Sequence, residues 1–315
     1  MADSPKSWAA RMADAPGRRG LDPKVADKLA RLSLAVDGTV EGFLAGRHRS
    51  PHRGVSVEFV ERRPYVPGDD LRHLDWKAWA RSDRLAVKRY EEETNLSATF
   101  VVDASASMAY PPGGGVSKYD LACQAAMALA HIVLRDRDGA SLALFDHVLD
   151  RVLPASTSPA HEEVLARALV EREPQGQTDI AAVLGRLTER ISKPGIVVVL
   201  SDLFGDVGSL ERGLGFLRTR NHDVIVLHVM HNDELTFPFD RLTRFEGMED
   251  ASHLLVDAPS LRESYREVVD GWRAQVRRVC HVRDVDYQLI DSADSLGRCL
   301  TEFLGERMAR GGGRL

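Results

Sequence analysis

The chain has 315 residues and a formal net charge of −5, enough for one large domain or two modest ones. An apolar content of 43% is that of a globular protein with a core, and the mild acidity argues against a dedicated nucleic-acid binder. Cys123, Cys280 and Cys299 are far apart and form no CxxC pair, which argues against a zinc knuckle or disulfide framework and favours a reducing, cytoplasmic setting.

No window approaches the roughly 18 uninterrupted apolar residues of a membrane span. Residues 1–20 lack the apolar core of a signal peptide and are expected to be a flexible leader. Asp22-Pro23 reads as an N-cap with proline at the first helical position. The helix it opens carries Val25, Leu29, Leu32 and Val36 on one face. Residues 47–93 are densely charged. Within them "VSVEFVERRPYV" and "RLAVKRYEEE" alternate like strands. Between the two, "PGDDLRHLDWKAWARSD" has a Pro67-Gly68 turn and a short helix around Trp76 and Trp79. The expectation is a small N-terminal helix and antiparallel β unit over residues 21–96.

From residue 97 the rhythm is regular. "ATFVVD" reads as a strand and "KYDLACQAAMALAHIVLRDRD" as a helix with an Ala-rich face. "ASLALFD" and "DRVLPA" read as two strands joined by a tight connection around Asp146 and His147. "SPAHEEVLARALVER" is a helix with Ser158 placed to cap it, and "DIAAVLGRLTERI" another. "GIVVVLSD" is apolar throughout, the mark of a strand buried on both faces. "SLERGLGFLRTR" is a helix, "HDVIVLHVM" a buried strand and "SHLLVD" a short strand. A long amphipathic helix over residues 260–280 has the stripe Leu261, Tyr265, Val268, Trp272, Val276, Val279. "VDYQLID" and "SLGRCLTEFLGERM" close the pattern, and residues 310–315 are expected to be a disordered tail. Alternating strands and helices predict an α/β domain over 97–309. It has a doubly wound, mainly parallel sheet with one antiparallel edge strand.

Ligands of open parallel sheets bind beyond the carboxyl ends of the strands. The residues at those ends are Asp103, Ser105 and Ser107 after the first strand and Ser201 and Asp202 after "GIVVVL". Thr178 and Asp179 come before a helix. Carboxylates and hydroxyls without thiol or imidazole suit a hard divalent cation, Mg²⁺ or Mn²⁺. The serines and Thr178 would supply neutral oxygens, and Asp103 and Asp202 would supply charge, directly or through water. Asp179 reads as a helix-start residue and Ser201 as local hydrogen bonding. The bland alternative for Ser105 and Ser107 is a turn or cap.

"DASASM" resembles the DxSxS motif of the metal-ion-dependent adhesion site in von Willebrand factor A domains. "GQTDI" is similar to that fold's threonine loop and "VVLSDLFGD" to its distal aspartate loop. The charged block "EFVERRPYVPGDDLRHLDWKAWARSDRLAVKRYEEE" is similar to the signature of the bacterial family called domain of unknown function 58, carried upstream of a von Willebrand-like strand. Arg63, Tyr65, Gly68, Asp69, Arg72, Asp75, Trp76 and Arg81 match that signature. They are expected to form a polar network or a partner-binding surface. The resemblance implies a partner, a MoxR-type AAA+ ATPase, and a role in assembling or activating other proteins.

The bet on chemistry is a non-enzymatic, metal-bridged binding module. A phosphatase of the aspartyl-phosphate type wants a second acid two residues after the first, and Ser105 stands there. G-x-S-x-G, G-x-G-x-x-G and the phosphate-binding G-x4-G-K-[ST] are absent. The alternative is a metal-dependent hydrolase, phosphatase- or peptidase-like, using the same strand tips.

Overall fold

The computed structural model describes residues 96–310 except 113 and 251, the backbone of two strands further upstream, and Lys28, Arg31, Leu32 and Val36. The chain divides into two compact units: residues 50–95, and residues 1–49 together with 96–315. In the smaller unit, β1 (Glu61–Pro64) pairs antiparallel with β2 (Ala86–Arg89), inside the two stretches whose alternation predicts strands. The expected helix around Trp76 and Trp79 lies outside the described residues. So do the side chains of Arg63, Tyr65, Gly68, Asp69, Arg72, Asp75, Trp76 and Arg81.

The larger unit is built on six strands: β3 (Ser97–Asp103), β4 (Gly139–Phe145), β5 (Leu149–Ser156), β6 (Ile196–Ser201), β7 (Asp223–Met230) and β10 (Asp286–Asp291). Their order is β10-β7-β6-β3-β4-β5. Every pairing is parallel except β4 with β5, as the tight Asp146–His147 connection requires, since only antiparallel neighbours can be joined by a short turn. β3 and β6 are buried along almost their whole length. Alternate side chains feed two cores. Phe100, Val102, Val198 and Leu200 face one and Val101, Val197 and Val199 the other.

The first face is covered by α1 (Lys118–Arg135), α2 (His161–Glu171) and α7 (Leu296–Ala309). Leu32 and Val36, both helical and buried, join that core. The second is covered by α3 (Ile180–Arg190), α4 (Val207–Thr219) and α6 (Ala258–Val282). The Ala-rich side of α1 lets it lie close on the sheet: Ala122, Ala125, Ala126 and Ala130 are almost wholly buried. Gly213 does the same for α4 against α3. A methyl there would stand 3.0 Å from Leu184 and 3.3 Å from the Ile180 carbonyl. The strand order reverses at β3, so the ends of β3 and β6 flank the crevice where open α/β sheets bind ligands.

Two expectations need correction. Ser158 does not cap α2. The helix begins at His161, and the Ser158 carbonyl accepts the His161 N–H at 2.9 Å in a preceding turn. The stripe of α6 shifts by one residue in its middle. Val268 is 71% exposed and Val269 buried, because four-residue steps from Tyr265 through Val269 follow the 3.6-residue turn more closely. "SHLLVD" is a short strand, as expected, and lies outside the main sheet. As β9 (His253–Asp257) it pairs antiparallel with β8 (Leu242–Glu246) in a separate hairpin, and β8 was not expected. A short helix, α5 (Asn232–Thr236), also precedes the hairpin.

Candidate functional site

Asp103 ends β3 and is fully buried. Behind it the chain turns through Ser105 into a single 3-10 turn, Ala106–Ala109. The Ser105 N–H donates back to Asp103 Oδ1 at 2.9 Å, and this Asx-type turn brings Ser105 Oγ and Ser107 Oγ to 3.1 Å from each other. β6 lies beside β3, so Ser201 arrives next to the same carboxylate. Its Oγ donates to Asp103 Oδ2 at 2.6 Å and accepts the Leu203 N–H at 2.9 Å.

The loop from Arg172 to Asp179 completes the cluster. Two backbone bonds stitch it to the β3 loop: Gln175 N–H to the Ala104 carbonyl, 2.8 Å, and Ala106 N–H to the Gly176 carbonyl, 2.9 Å. Thr178 Oγ1 then lies 3.3 and 3.5 Å from the two Asp103 oxygens. Asp179 accepts the Ala182 N–H and caps α3, as its position after the threonine predicts. Gly176 turns the loop with φ +79°, a left-handed conformation that strains any side chain. Gly176→Ala is therefore expected to lower the unfolding free energy by about 1–2 kcal/mol, read in a denaturant titration.

Asp202, one residue past β6, sits on the same edge but faces a different set of partners. Its Oδ1 accepts the Phe204 N–H at 3.2 Å and its Oδ2 accepts Lys118 Nζ at 2.7 Å. Lys118 is 1% exposed and also donates to Glu234 Oε1 at 2.6 Å. Glu234 Oε2 in turn accepts the His231 N–H. The Phe204 ring lies 4.9 Å from the ammonium and stacks on Trp272. Behind Asp202, its carbonyl accepts His228 Nε2–H at 2.9 Å, so Nδ1 accepts the Tyr287 hydroxyl at 2.8 Å. Burial pushes His228 down to about 3, so the ring is neutral and positions the loop as a structural group.

The electrostatics are lopsided. Burial, and after it the charge of nearby Asp202, pushes the Asp103 carboxyl from its ordinary 3.8 up to about 7, against the hydrogen bonds from Ser201 and Ser105. Burial works against the Lys118 charge, but Asp202 and Glu234 outweigh it and hold the amine above its ordinary value. Among the described residues Asp103 thus has neighbouring hydroxyls but no cation, whereas Asp202 has one.

Asp103, Ser105, Ser107 and Thr178 are brought together. Asp202 reaches the same edge with both oxygens engaged elsewhere. Ser201 is closer to Asp103 than local bonding suggested. Lys118 and Glu234 escaped sequence reasoning, although one signal was present. Lys118 is the first residue of α1, inside the Ser117–Asp120 capping box. A cation is unfavourable at that positive end of a helix unless anions from elsewhere meet it.

Among the described residues no group of three or more His, Cys, Asp or Glu side chains is arranged to hold a metal ion. The oxygen-bearing side chains at this edge are four hydroxyls, Ser105, Ser107, Thr178 and Ser201, and two carboxylates, Asp103 and Asp202, a set that fits a hard cation and not a thiophilic or imidazole-seeking one. No described helix is long and apolar enough to cross a membrane.

Fold and strand tips together define an α/β protein with an acid-and-hydroxyl cluster at the switch point of a mainly parallel sheet. The chain belongs to the family described as "Protein of unknown function DUF58", whose model matches residues 61–275. It is 28% identical over 262 residues to the "Uncharacterized protein Rv1480" of Mycobacterium tuberculosis (strain ATCC 25618 / H37Rv), covering 82% of this chain and 81% of that one. The "Uncharacterized protein Mb1516" of Mycobacterium bovis matches to the same extent. Among solved structures, an aerotolerance-related membrane protein from Bacteroides fragilis aligns with TM-score 0.44 at 15% identity, over 67% of this chain and 99% of that one. The conserved hypothetical protein BatB from Bacteroides thetaiotaomicron aligns with TM-score 0.39 at 13% identity, over 68% and 99%.

Proposed function

We propose that this protein is a metal-dependent protein-binding module that grips an acidic residue of a partner. The observation that carries the reading is the gathering of three separate segments around one buried carboxylate, Asp103: the Ser105 N–H, with the Ser105 and Ser107 hydroxyls paired beside it, and the hydroxyls of Thr178 and Ser201. An unpaired buried carboxylate is costly, and a divalent cation beside it would remove that cost. Ser105, Ser107 and Thr178 would hold Mg²⁺ or Mn²⁺ through neutral oxygens, with Asp103 as the principal charge. The ion supplies a Lewis-acidic position for an outside carboxylate. The chain's own part is to hold the three hydroxyls in register through the two backbone bonds between the β3 and threonine loops, and to keep water from Asp103.

The resemblance of "DASASM", "GQTDI" and "VVLSDLFGD" to the adhesion site of von Willebrand factor A domains supports the same reading, as does the order of these motifs along the chain. The partner class drawn from the family resemblance is a MoxR-type AAA+ ATPase, with the module acting as an adaptor in assembly or activation of other proteins.

The test is capture of a purified MoxR-type ATPase on the immobilised chain, with Mg²⁺ and with chelator. The expected result is retention that chelator and Ser105→Ala/Ser107→Ala both abolish. Retention indifferent to both would refute the metal-bridged reading. A screen for phosphatase turnover in Mg²⁺ or Mn²⁺ adds a second arm, since turnover lost in Asp103→Asn would replace binding by hydrolysis.

A further inference from the structure

The two acids at the strand tips are treated differently by the fold. Among the described residues Asp103 receives only neutral donors, whereas Asp202 receives an ammonium. That ammonium is fixed from all sides. Lys118 starts α1, so its backbone is anchored by the capping box. Its Nζ spans Asp202 and Glu234 at 2.7 and 2.6 Å, and the Phe204 ring covers it. The Asp202 side chain is 2% exposed, and its other oxygen takes the Phe204 N–H.

Resting on the metal-site reading above, we propose that Lys118 is a positioning residue, a built-in counter-cation that withholds Asp202 from direct contact with the metal ion. Releasing Asp202 would strand Lys118 with Glu234 alone and break the Phe204 turn, so the pair stays closed when the site is loaded. The direct ligands are then Ser105, Ser107, Thr178 and Asp103. With one carboxylate instead of two, the loaded site keeps a net positive charge, which is what a partner's acid recognises. A second direct carboxylate would bind the ion more tightly and neutralise it, since ligand charge count sets affinity for hard cations. Lys118 thus trades metal affinity for partner affinity.

The experiment is titration of the full chain with Mn²⁺ alone, by calorimetry and by the loss of free Mn²⁺ signal in electron paramagnetic resonance. Lys118→Met frees Asp202 and is expected to tighten Mn²⁺ by about tenfold. A merely structural tie would move affinity the other way, because losing it loosens the loop. Asp202→Asn is expected to weaken Mn²⁺ by less than about tenfold, far short of the loss in Ser105→Ala/Ser107→Ala. This second variant leaves Lys118 and its Glu234 partner in place and decides the matter where Lys118→Met fails to fold. Unchanged or weaker Mn²⁺ binding in a folded Lys118→Met protein overturns the inference and leaves the metal site standing. So does an Asp202→Asn loss equal to that of the double serine variant. A wild-type chain that binds no Mn²⁺ overturns the metal site and this inference together.

Discussion

Asp103→Asn is expected to weaken Mn²⁺ binding by at least about a hundredfold and yet to raise the melting temperature of the chelated protein above wild type near pH 8. The first effect is Coulombic. A unit charge interacts with another 4 Å away by about 4 kcal/mol at an effective dielectric near 20. Each 1.4 kcal/mol is about tenfold in affinity, so even part of that energy exceeds a hundredfold. The second effect follows from burial. Near pH 8 the wild-type carboxyl must ionise inside the protein, beside Asp202, although it would rather titrate at about 7. At about 1.4 kcal/mol per pKa unit, relief from that strain is worth a few kcal/mol, several degrees in Tm for a domain of this size. Asparagine keeps both contacts, one of them reversed: its carbonyl accepts the Ser105 N–H, and its amide donates to Ser201 Oγ, which in the wild type is the donor. Scanning calorimetry in chelator and Mn²⁺ titration would read both effects. A lower melting temperature together with undiminished Mn²⁺ binding would defeat the role assigned to Asp103.

Acidity should act on metal binding and on metal-free stability in opposite senses. Asp103 has a folded value raised above its ordinary one, so the folded chain holds that proton more tightly than the unfolded chain does. The resulting stabilisation is full below about pH 4 and is lost as pH rises through about 7. In chelator, wild-type stability attributable to this group therefore declines between those limits, and Asp103→Asn removes the decline. Metal binding needs the ionised form. Mn²⁺ affinity should fall about tenfold for each pH unit below about 7 and level off above it, with close to one proton released per ion on the acid side. Calorimetry in buffers of different ionisation heat counts that proton. An affinity independent of pH from about 5.5 to 8 would show that the ion does not compete with a proton on Asp103.

Much of the architecture could be read from local pattern. "GIVVVLSD" and "HDVIVLHVM" are apolar at successive positions, and only a strand covered on both faces tolerates that. The spacing of Asp103, Ser105 and Ser107 placed an oxygen-rich loop at a strand end. Thr178 and Asp179 stood where a loop meets a helix. The misses fell where local pattern is silent. β8, "LTRFE", lies in a two-stranded hairpin with alternate residues exposed, so no apolar run marks it. Val268 was assigned to the buried stripe of α6 because a valine three residues after Tyr265 fits a helical face as well as one four residues after it. Which of Val268 and Val269 turned inward depended on where α4 and the sheet lay.

The residues by themselves determined the strand–helix alternation, the antiparallel edge and which acids and hydroxyls stand at the strand ends, because each depends on periodicity, turn length or chemistry within a few positions. The tertiary structure alone decided how charge is distributed among those side chains. Lys118 meets Asp202 and Glu234 across 84 and 116 positions of chain. Ion pairing over such separations leaves at most an ill-placed cation at a helix start and no mark of its partners, since it exists only once parallel strands have set the ends of β3 and β6 side by side and the start of α1 above them.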